Sequence, residues 1–326
     1  MVKALGLISG GLDSSLAAMT LMRQGIEVTG IAFETPFFNA DKARTAAKAI
    51  GHKLIIENIS DIHLQVVKNP QRGYGRNMNP CIDCHALMFQ LAGDRMAGDG
   101  FDFLFSGEVL GQRPMSQNAN ALRSVAKLSG YPDRVLRPLS AKIMEITPME
   151  ESGLVDREQL LDIQGRSRKR QQVLAKEWGL VDYPSSGGGC LLTEEGFSNQ
   201  LRDLLTHDPH ATTSDVELLK VGRQFRLSET AKLILGRHRT DNEALQHRAR
   251  PDHIKIRCQN FSGPLGLLCG EHDQTVLDTA AAIVASYGKG KNEAEIDMLC
   301  MTGNDEEFVR RVQPMAREVS REMLIR

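Results

Sequence analysis

Two short clusters in this 326-residue chain carry the residue types that chemistry needs. The first is Ser9-Gly10-Gly11-Leu12-Asp13-Ser14-Ser15, set between an apolar run and an amphipathic one. Adjacent glycines let the backbone turn tightly and approach an anion, and the small hydroxyl residues then open a helix whose first N–H groups lack helical partners. That combination suits a phosphate. The loop has neither the Gly-Lys-Ser/Thr end of a Walker A sequence nor a Gly-x-Gly-x-x-Gly dinucleotide turn, which argues against the usual nucleotide triphosphatases and dehydrogenases. A plain strand-turn-helix capped by Asp13 or Ser14 is the alternative.

The second cluster is Asn79-Pro80-Cys81-Ile82-Asp83-Cys84-His85, which puts two thiols at a helix start, where the dipole and free N–H groups favour thiolate. Cys190 closes Gly187-Gly188-Gly189-Cys190, a run whose lack of side chains permits close approach to a partner or substrate. Three thiolates, Cys81, Cys84 and Cys190, can therefore converge on a metal. Half of a zinc site completed by His85 or Cys190, a redox dithiol, and a persulfide relay through Cys84 and Cys190 are the competing uses. Asp83 reads as an exposed carboxylate at a helix start, with service as a base or substrate contact as the functional alternative. Cys258, Cys269 and Cys300 lie in apolar strand-like runs and read as buried small hydrophobes.

These groups need a frame. Strand-like runs over Lys3–Ile8, Glu27–Phe33, Lys53–Ile59 and Phe101–Phe105 alternate with helical patterns over Ser14–Gln24, Asp41–Ile50 and His85–Ala97. That alternation predicts a doubly wound, mostly parallel sheet with helices on both faces, Rossmann-like in class. A helix over Ala119–Ser129, a strand over Val135–Leu139, and helices around Arg157–Leu161 and Ser167–Trp178 extend the layer to about residue 182. Pro184 to Gly189 is a loop by composition. Beyond it the pattern changes: Glu194–Asp208 reads as a bridging helix, and the strand-like runs Gln224–Leu227, Lys232–Leu235, His253–Arg257, Leu265–Leu268 and Glu295–Cys300 surround a helix over Asp273–Ser286. Two domains are expected, residues 1–192 and a smaller α+β domain at 193–326.

Composition sets outer limits. Forty Lys and Arg against 41 Asp and Glu leave a net charge of −1, so any nucleic-acid affinity must come from local patches. No apolar run approaches the roughly 20 residues that cross a bilayer, and the opening MVKALGLISGG lacks the core of a secretory signal, so no membrane partner and a cytoplasmic location are expected. Six cysteines under those conditions argue for metal binding or catalysis over a disulfide framework.

SGGLDSS resembles the signature of the PP-loop ATP pyrophosphatases, whose fold is of the adenine nucleotide alpha hydrolase type. The resemblance implies that ATP is cleaved between its α and β phosphates and that Ser9, Gly10, Gly11, Asp13, Ser14 and Ser15 embrace pyrophosphate, with Mg2+ neutralising the leaving charge. It also implies adenine contact by the backbone near Ile31 to Phe33 and a nucleotide-lining Gly107 in Ser106-Gly107-Glu108. The cysteine layout resembles the tRNA thiouridine synthases. The two-cysteine 2-thiouridylases have Asp where Cys81 stands, so this chain matches the three-cysteine branch, in which the cysteines hold a [4Fe–4S] cluster. That implies a tRNA uridine, adenylated at C2 or C4 and then attacked by sulfur, with Cys81, Cys84, Cys190 and Asp13 as the catalytic set. Zinc or a cluster-free persulfide remains the alternative at the cysteines. The implied partners are tRNA and a sulfur donor, either sulfide or a cysteine desulfurase, and a homodimer is compatible.

RNA would be gripped through its phosphates. Arg166-Ser167-Arg168-Lys169-Arg170 concentrates four cations within five residues, and Arg113 and Gln117 follow the strand whose end should face the site. A solvated helix face is the alternative for that charge run. Further on, Arg237, His238, Arg239, His247, Arg248, Arg250, Lys255 and Arg257 form a basic stretch, and the strand pattern with the Gly236-Arg237 turn resembles the NFACT RNA-binding domain.

Overall fold

The computed structural model describes residues 1–183 and 189–326. The chain divides into two compact units, Met1–Thr193 and Glu194–Arg326.

The first unit runs β1 (Lys3–Leu7), α1 (Leu12–Met22), β2 (Glu27–Glu34), α2 (Asp41–Ile50), β3 (Lys53–Asn58), α3 (Ser60–Lys68), α4 (Cys81–Asp99), β4 (Phe103–Ser106), α5 (Ala119–Leu128), β5 (Val135–Leu136), α6 (Pro148–Glu151) and α7 (Lys169–Glu177). Its sheet has the order β3-β2-β1-β4-β5, and every neighbouring pair is parallel. Because successive side chains of a strand point to opposite faces, β1 and β4 feed two cores. Ala4, Phe103 and Phe105 meet Leu12 and Leu16 of α1 and Ala175 of α7. Leu5 and Leu104 instead meet Phe89 of α4 and Val125 of α5. Both faces are thus covered, as a parallel sheet requires. The doubly wound α/β class expected from the alternating pattern is the observed one.

The second unit comprises α8 (Glu195–His207), α9 (Thr213–Leu219), β6 (Arg223–Arg226), β7 (Lys232–Leu235), α10 (Arg239–Arg248), β8 (Ile254–Cys258), β9 (Gly266–Cys269), α11 (Gln274–Ser286), β10 (Ile296–Met301), β11 (Glu307–Val312) and α12 (Arg317–Glu322). Its sheet, β11-β10-β8-β9-β7-β6, is antiparallel throughout. Leu277, Ala281 and Val284 of α11 pack on Ile256, Leu268 and Met298, while Ile234 and Leu267 face Leu245 of α10 and Leu218 of α9.

Several expectations are corrected in detail. Arg157–Gln159 is a short 3-10 turn where a helix was expected, because Asp156 accepts from the Glu158 N–H at 2.9 Å and the backbone leaves helical geometry at Leu160. Helices α3, α9 and α10 were not anticipated. For α10 the signal is masked by its composition, since only Leu245 is a buried hydrophobe on it. The glycine-rich loop singled out from composition falls at residues 184–188, outside the described residues. Among the described residues no helix is long and apolar enough to cross a membrane.

Phe105 and Leu233 are fully buried, one in each unit. Phe105→Ala should lower unfolding free energy by about 3–5 kcal/mol and Leu233→Ala by about 2–5 kcal/mol, as read by urea denaturation.

Candidate active site

In an open parallel sheet ligands bind beyond the carboxyl ends of the strands, where the strand order reverses direction. Here that point lies between β1 and β4, and the Ser9–Ser15 loop leaves β1 there. Gly10 has φ +75°, and a Cβ on it would stand 2.1 Å from the Lys42 carbonyl carbon, so only glycine fits. Gly11 is the extended N-cap of α1. Ser14 Oγ donates to the Gly11 carbonyl at 2.9 Å and lies 3.3 Å from Ser9 Oγ, while Ser15 N–H donates to the same carbonyl at 3.1 Å.

Gly107 stands against the same loop. A Cβ there would lie 2.4 Å from the Ser14 nitrogen, so this glycine lets the end of β4 press against the start of α1. Phe33 belongs to the core between the sheet and α4 and is 5% exposed, which leaves only its backbone at the β2 end.

Asp13 is the focus of polar groups that the sequence places far apart. Gln112 Nε2 donates to its Oδ2 at 3.0 Å, and Arg168 Nη2 stands 3.9 Å from the same oxygen. Asp13 Oδ1, Gln112 Oε1 and Arg168 Nε are buried without a hydrogen-bond partner among the described residues. Buried polar atoms are normally satisfied, so such a concentration marks a place built for a polar ligand. A carboxylate with an open oxygen beside a phosphate loop has the chemistry to hold Mg2+. Arg168 therefore faces the loop, contrary to its expected place among RNA contacts. Gln117 is buried, its side-chain oxygen unpartnered among the described residues, and Arg170 is held by Asp162 at 2.6 Å. Arg113, Arg166 and Lys169 remain exposed.

The cysteines begin α4. Asn79 organises the approach: its carbonyl accepts from the Gly75 and Cys81 N–H groups at 3.0 Å, its Oδ1 accepts from Asn77 N–H, and its Nδ2 lies 3.2 Å from Cys81 Sγ. Asp83 is buried, not exposed, because its carboxylate accepts the Arg72 N–H at 2.9 Å. Cys84 Sγ lies 3.1 Å from His63 Nε2, and the His63 ring is set between Phe37 and Phe38. Burial pushes the His63 pKa down to about 4, so the ring is neutral. Cys190 joins from the far side: the next residue, Leu191, donates its N–H to Phe37 O at 3.0 Å, and Thr193 donates to Cys190 O at 2.7 Å through its hydroxyl.

Cys84 does not have the low thiol pKa expected at a helix start. Burial raises it well above the ordinary value, and Cys190, Cys81 and Asp83 raise it further by charge repulsion. The donor set has the chemistry of an iron–sulfur or zinc site, yet among the described residues no three His, Cys, Asp or Glu side chains are gathered as a ready metal cage.

A buried carboxylate links the two clusters. Glu108 accepts from Arg137 Nε at 2.9 Å and from Ser106 Oγ at 3.1 Å, and His85 Nδ1 lies 2.9 Å from its other oxygen. Burial alone would raise its pKa, but Arg137, His85 and Ser106 together outweigh that and bring it from 4.5 to about 2. Glu108, Arg137, Gln112 and His63 escaped the sequence reading. A Glu just beyond a parallel strand's carboxyl end was the available signal for Glu108; a lone His on a helix carries none.

The phosphate loop, the strand switch and the cysteine-bearing helix define the class. Residues 1–146 match the family model described as thiamine biosynthesis protein (ThiI), and residues 222–323 match that of the NFACT protein RNA binding domain. The resemblances to the tRNA thiouridine synthases in general and to the NFACT RNA-binding domain are met by these two matches. Probable tRNA sulfurtransferases of Staphylococcus aureus strains MRSA252 and Newman are each 28% identical over 142 residues, which cover 42% of this chain and 34% of theirs. The chain thus spans about a third of the length of the curated relatives it matches. Among solved structures, a 4-thiouridine synthetase–RNA complex with bound ATP is 20% identical over 55% of this chain and 41% of its own, at TM-score 0.38. A predicted subunit of tRNA methyltransferase from Methanocaldococcus jannaschii is 16% identical over 54% and 76%, at TM-score 0.36.

Arg137→Leu should destabilise the protein by about 3–5 kcal/mol, because Glu108 would be left as an uncompensated buried charge. The folded Glu108 pKa lies below its ordinary 4.5, so its stabilisation is present above that pH and is lost as pH falls toward 2. Glu108→Gln should flatten the acid limb of a stability–pH curve over that window.

Proposed function

We propose that the chain is an ATP-dependent tRNA sulfurtransferase that thiolates a uridine. The observation that carries this reading is the presence, in one parallel-sheet unit, of a glycine–serine loop at the strand switch and of a cysteine-bearing helix whose Cys84 meets His63, with Leu191, next to Cys190, bonded to Phe37 beside that ring. The matches to the ThiI and NFACT RNA-binding models support it.

In this reading the amides and hydroxyls of Ser9, Gly10, Gly11, Ser14 and Ser15 receive the pyrophosphate portion of ATP, and Asp13 holds Mg2+ through the oxygen that is buried without a partner. Arg168 and Gln112, already at Asp13, would supply positive charge and N–H donors toward the phosphates. The C2 or C4 oxygen of the uridine attacks the α-phosphorus, the bond to the β-phosphate oxygen breaks, and pyrophosphate leaves. Sulfide then displaces AMP at that carbon; sulfur arriving instead as a desulfurase-derived persulfide on one cysteine attacks the carbon, AMP leaves, and a second cysteine thiol cleaves the S–S bond, leaving the sulfur on the base and a disulfide that an external thiol must reduce. A [4Fe–4S] cluster held by Cys81, Cys84 and Cys190 would supply an iron position open to that sulfur. His63, neutral between two aromatic rings, fixes where the Cys84 sulfur sits and excludes water from it. Arg113, Arg166 and Lys169 are left to meet RNA phosphates, and the place of action is the cytoplasm.

The test has two parts. Anaerobically purified protein should carry about four iron and four sulfide per chain, lost in Cys81→Ala, Cys84→Ala and Cys190→Ala; zinc or no metal would sink the cluster. AMP release should require an unmodified tRNA and fall by roughly 10²-fold or more in Asp13→Asn and Arg168→Gln, the scale seen on removing one group that stabilises transition-state charge. Turnover of a small molecule without RNA would replace tRNA as the substrate.

A further inference from the structure

In the basic stretch that the sequence suggested for RNA contact, Arg237, Arg239 and Arg250 are paired with carboxylates, while Lys255 and Arg257 make no ion pair among the described residues. Arg226, Arg237, Arg239, Arg250, Arg310 and Arg311 each hold a carboxylate oxygen at 2.5–2.9 Å. Cations tied up in this way give little to a new anion without first losing a partner.

Arg223 and Arg317 differ from these paired cations in sharing one aromatic ring. The guanidinium carbons of Arg223 and Arg317 lie 5.1 and 4.8 Å from the centroid of the Tyr287 ring. Neither arginine makes an ion pair or a side-chain hydrogen bond among the described residues. Two like charges on one ring repel each other, and the ring's quadrupole offsets that repulsion only in part. An arriving anion would relieve it. Tyr287 is anchored from below, its ring 6.2 Å from that of the buried Phe225, so the platform is rigid. The chain continues Gly288-Lys289-Gly290-Lys291-Asn292, and both lysines are exposed and without an ion pair among the described residues. Arg317 lines a cavity of about 640 Å³ whose other polar lining residues are Ser286, Lys291, Asn292, Gln313 and one carboxylate, Glu318.

We propose that this face of the second unit, centred on Arg223, Tyr287 and Arg317 with Lys289 and Lys291 at its edge, is where RNA docks. A phosphodiester supplies the missing counter-charge, and a nucleotide base has a planar face that stacks on guanidinium, which an acidic peptide lacks. The amides of Asn292 and Gln313 add donors and acceptors of the kind that ribose hydroxyls and base edges use. The inference rests on the RNA reading above and assigns it to particular residues.

The experiment is fluorescence anisotropy of an end-labelled, unmodified tRNA transcript with the full chain at several salt concentrations, alongside ATP binding as a check on the first unit. Arg223→Gln/Arg317→Gln should weaken tRNA binding at least about tenfold and lower the slope of log K against log salt by roughly 1–2, one counterion release per lost phosphate contact. ATP affinity and the far-UV circular dichroism spectrum should stay as in wild type. Arg223→Lys/Arg317→Lys should keep the slope yet lose several-fold in affinity, since an ammonium cannot stack as a guanidinium does. Unchanged affinity and slope in the Gln pair, with wild type binding tRNA, would overturn this face alone. Wild type that binds no tRNA would overturn the RNA reading with it, and capture of polyglutamate in preference to tRNA would assign the face to an acidic protein instead.

Discussion

Glu108 is the constraint on which the first unit turns. A carboxylate buried at the end of β4 must be paired, and its three partners come from three directions: Arg137 beyond β5, Ser106 at the strand end, and His85 from the first turns of α4. Satisfying one charge thereby fixes the spacing between the strand that presses on the phosphate loop and the helix that presents the cysteines. Gly107, the residue before it, makes the same connection by steric means, since its missing side chain is what admits the start of α1. Charge and shape act at adjacent positions to set one geometry.

The sulfur-bearing region follows a different logic. Cys84 is partly buried against a neutral histidine, and the surroundings disfavour its negative charge. A thiol in that setting is a poor free nucleophile but a suitable ligand, because a bound cation reverses the sign of the local potential and stabilises the thiolate outright. Aromatic rings at Phe37 and Phe38 hold the histidine in place, and the Leu191 bond to Phe37 ties the third cysteine to the same framework.

Much of this was legible in the residues alone, and the exceptions have causes. The alternation of strand and helix patterns through Phe105 revealed the parallel sheet, since short connections and right-handed crossovers leave few other arrangements. SGGLDSS was legible because its glycines and hydroxyls are local. Arg168 was misplaced for the opposite reason: its neighbour Asp13 is far away in the sequence, and charge type alone points outward to solvent, while nothing local marks Gln117 as buried. Asp83 was read as exposed for want of the Arg72 N–H that it accepts. Arg237 and Arg239 looked like an RNA surface because their pairing with Asp241 and Glu243 of α10 is invisible until that helix is recognised.

The packing of α7 bears on how the chain can be made. All five strands have been synthesised once Leu136 is in place, yet the face of α1 that meets Ala175 and Leu180 stays bare until some forty residues later. During that interval the growing polypeptide carries a nearly finished sheet with an uncovered apolar flank, the condition in which nascent chains draw chaperones or associate wrongly. A fragment ending where the ThiI match ends, at residue 146, would keep that state permanently and would also lack Arg168 and Cys190.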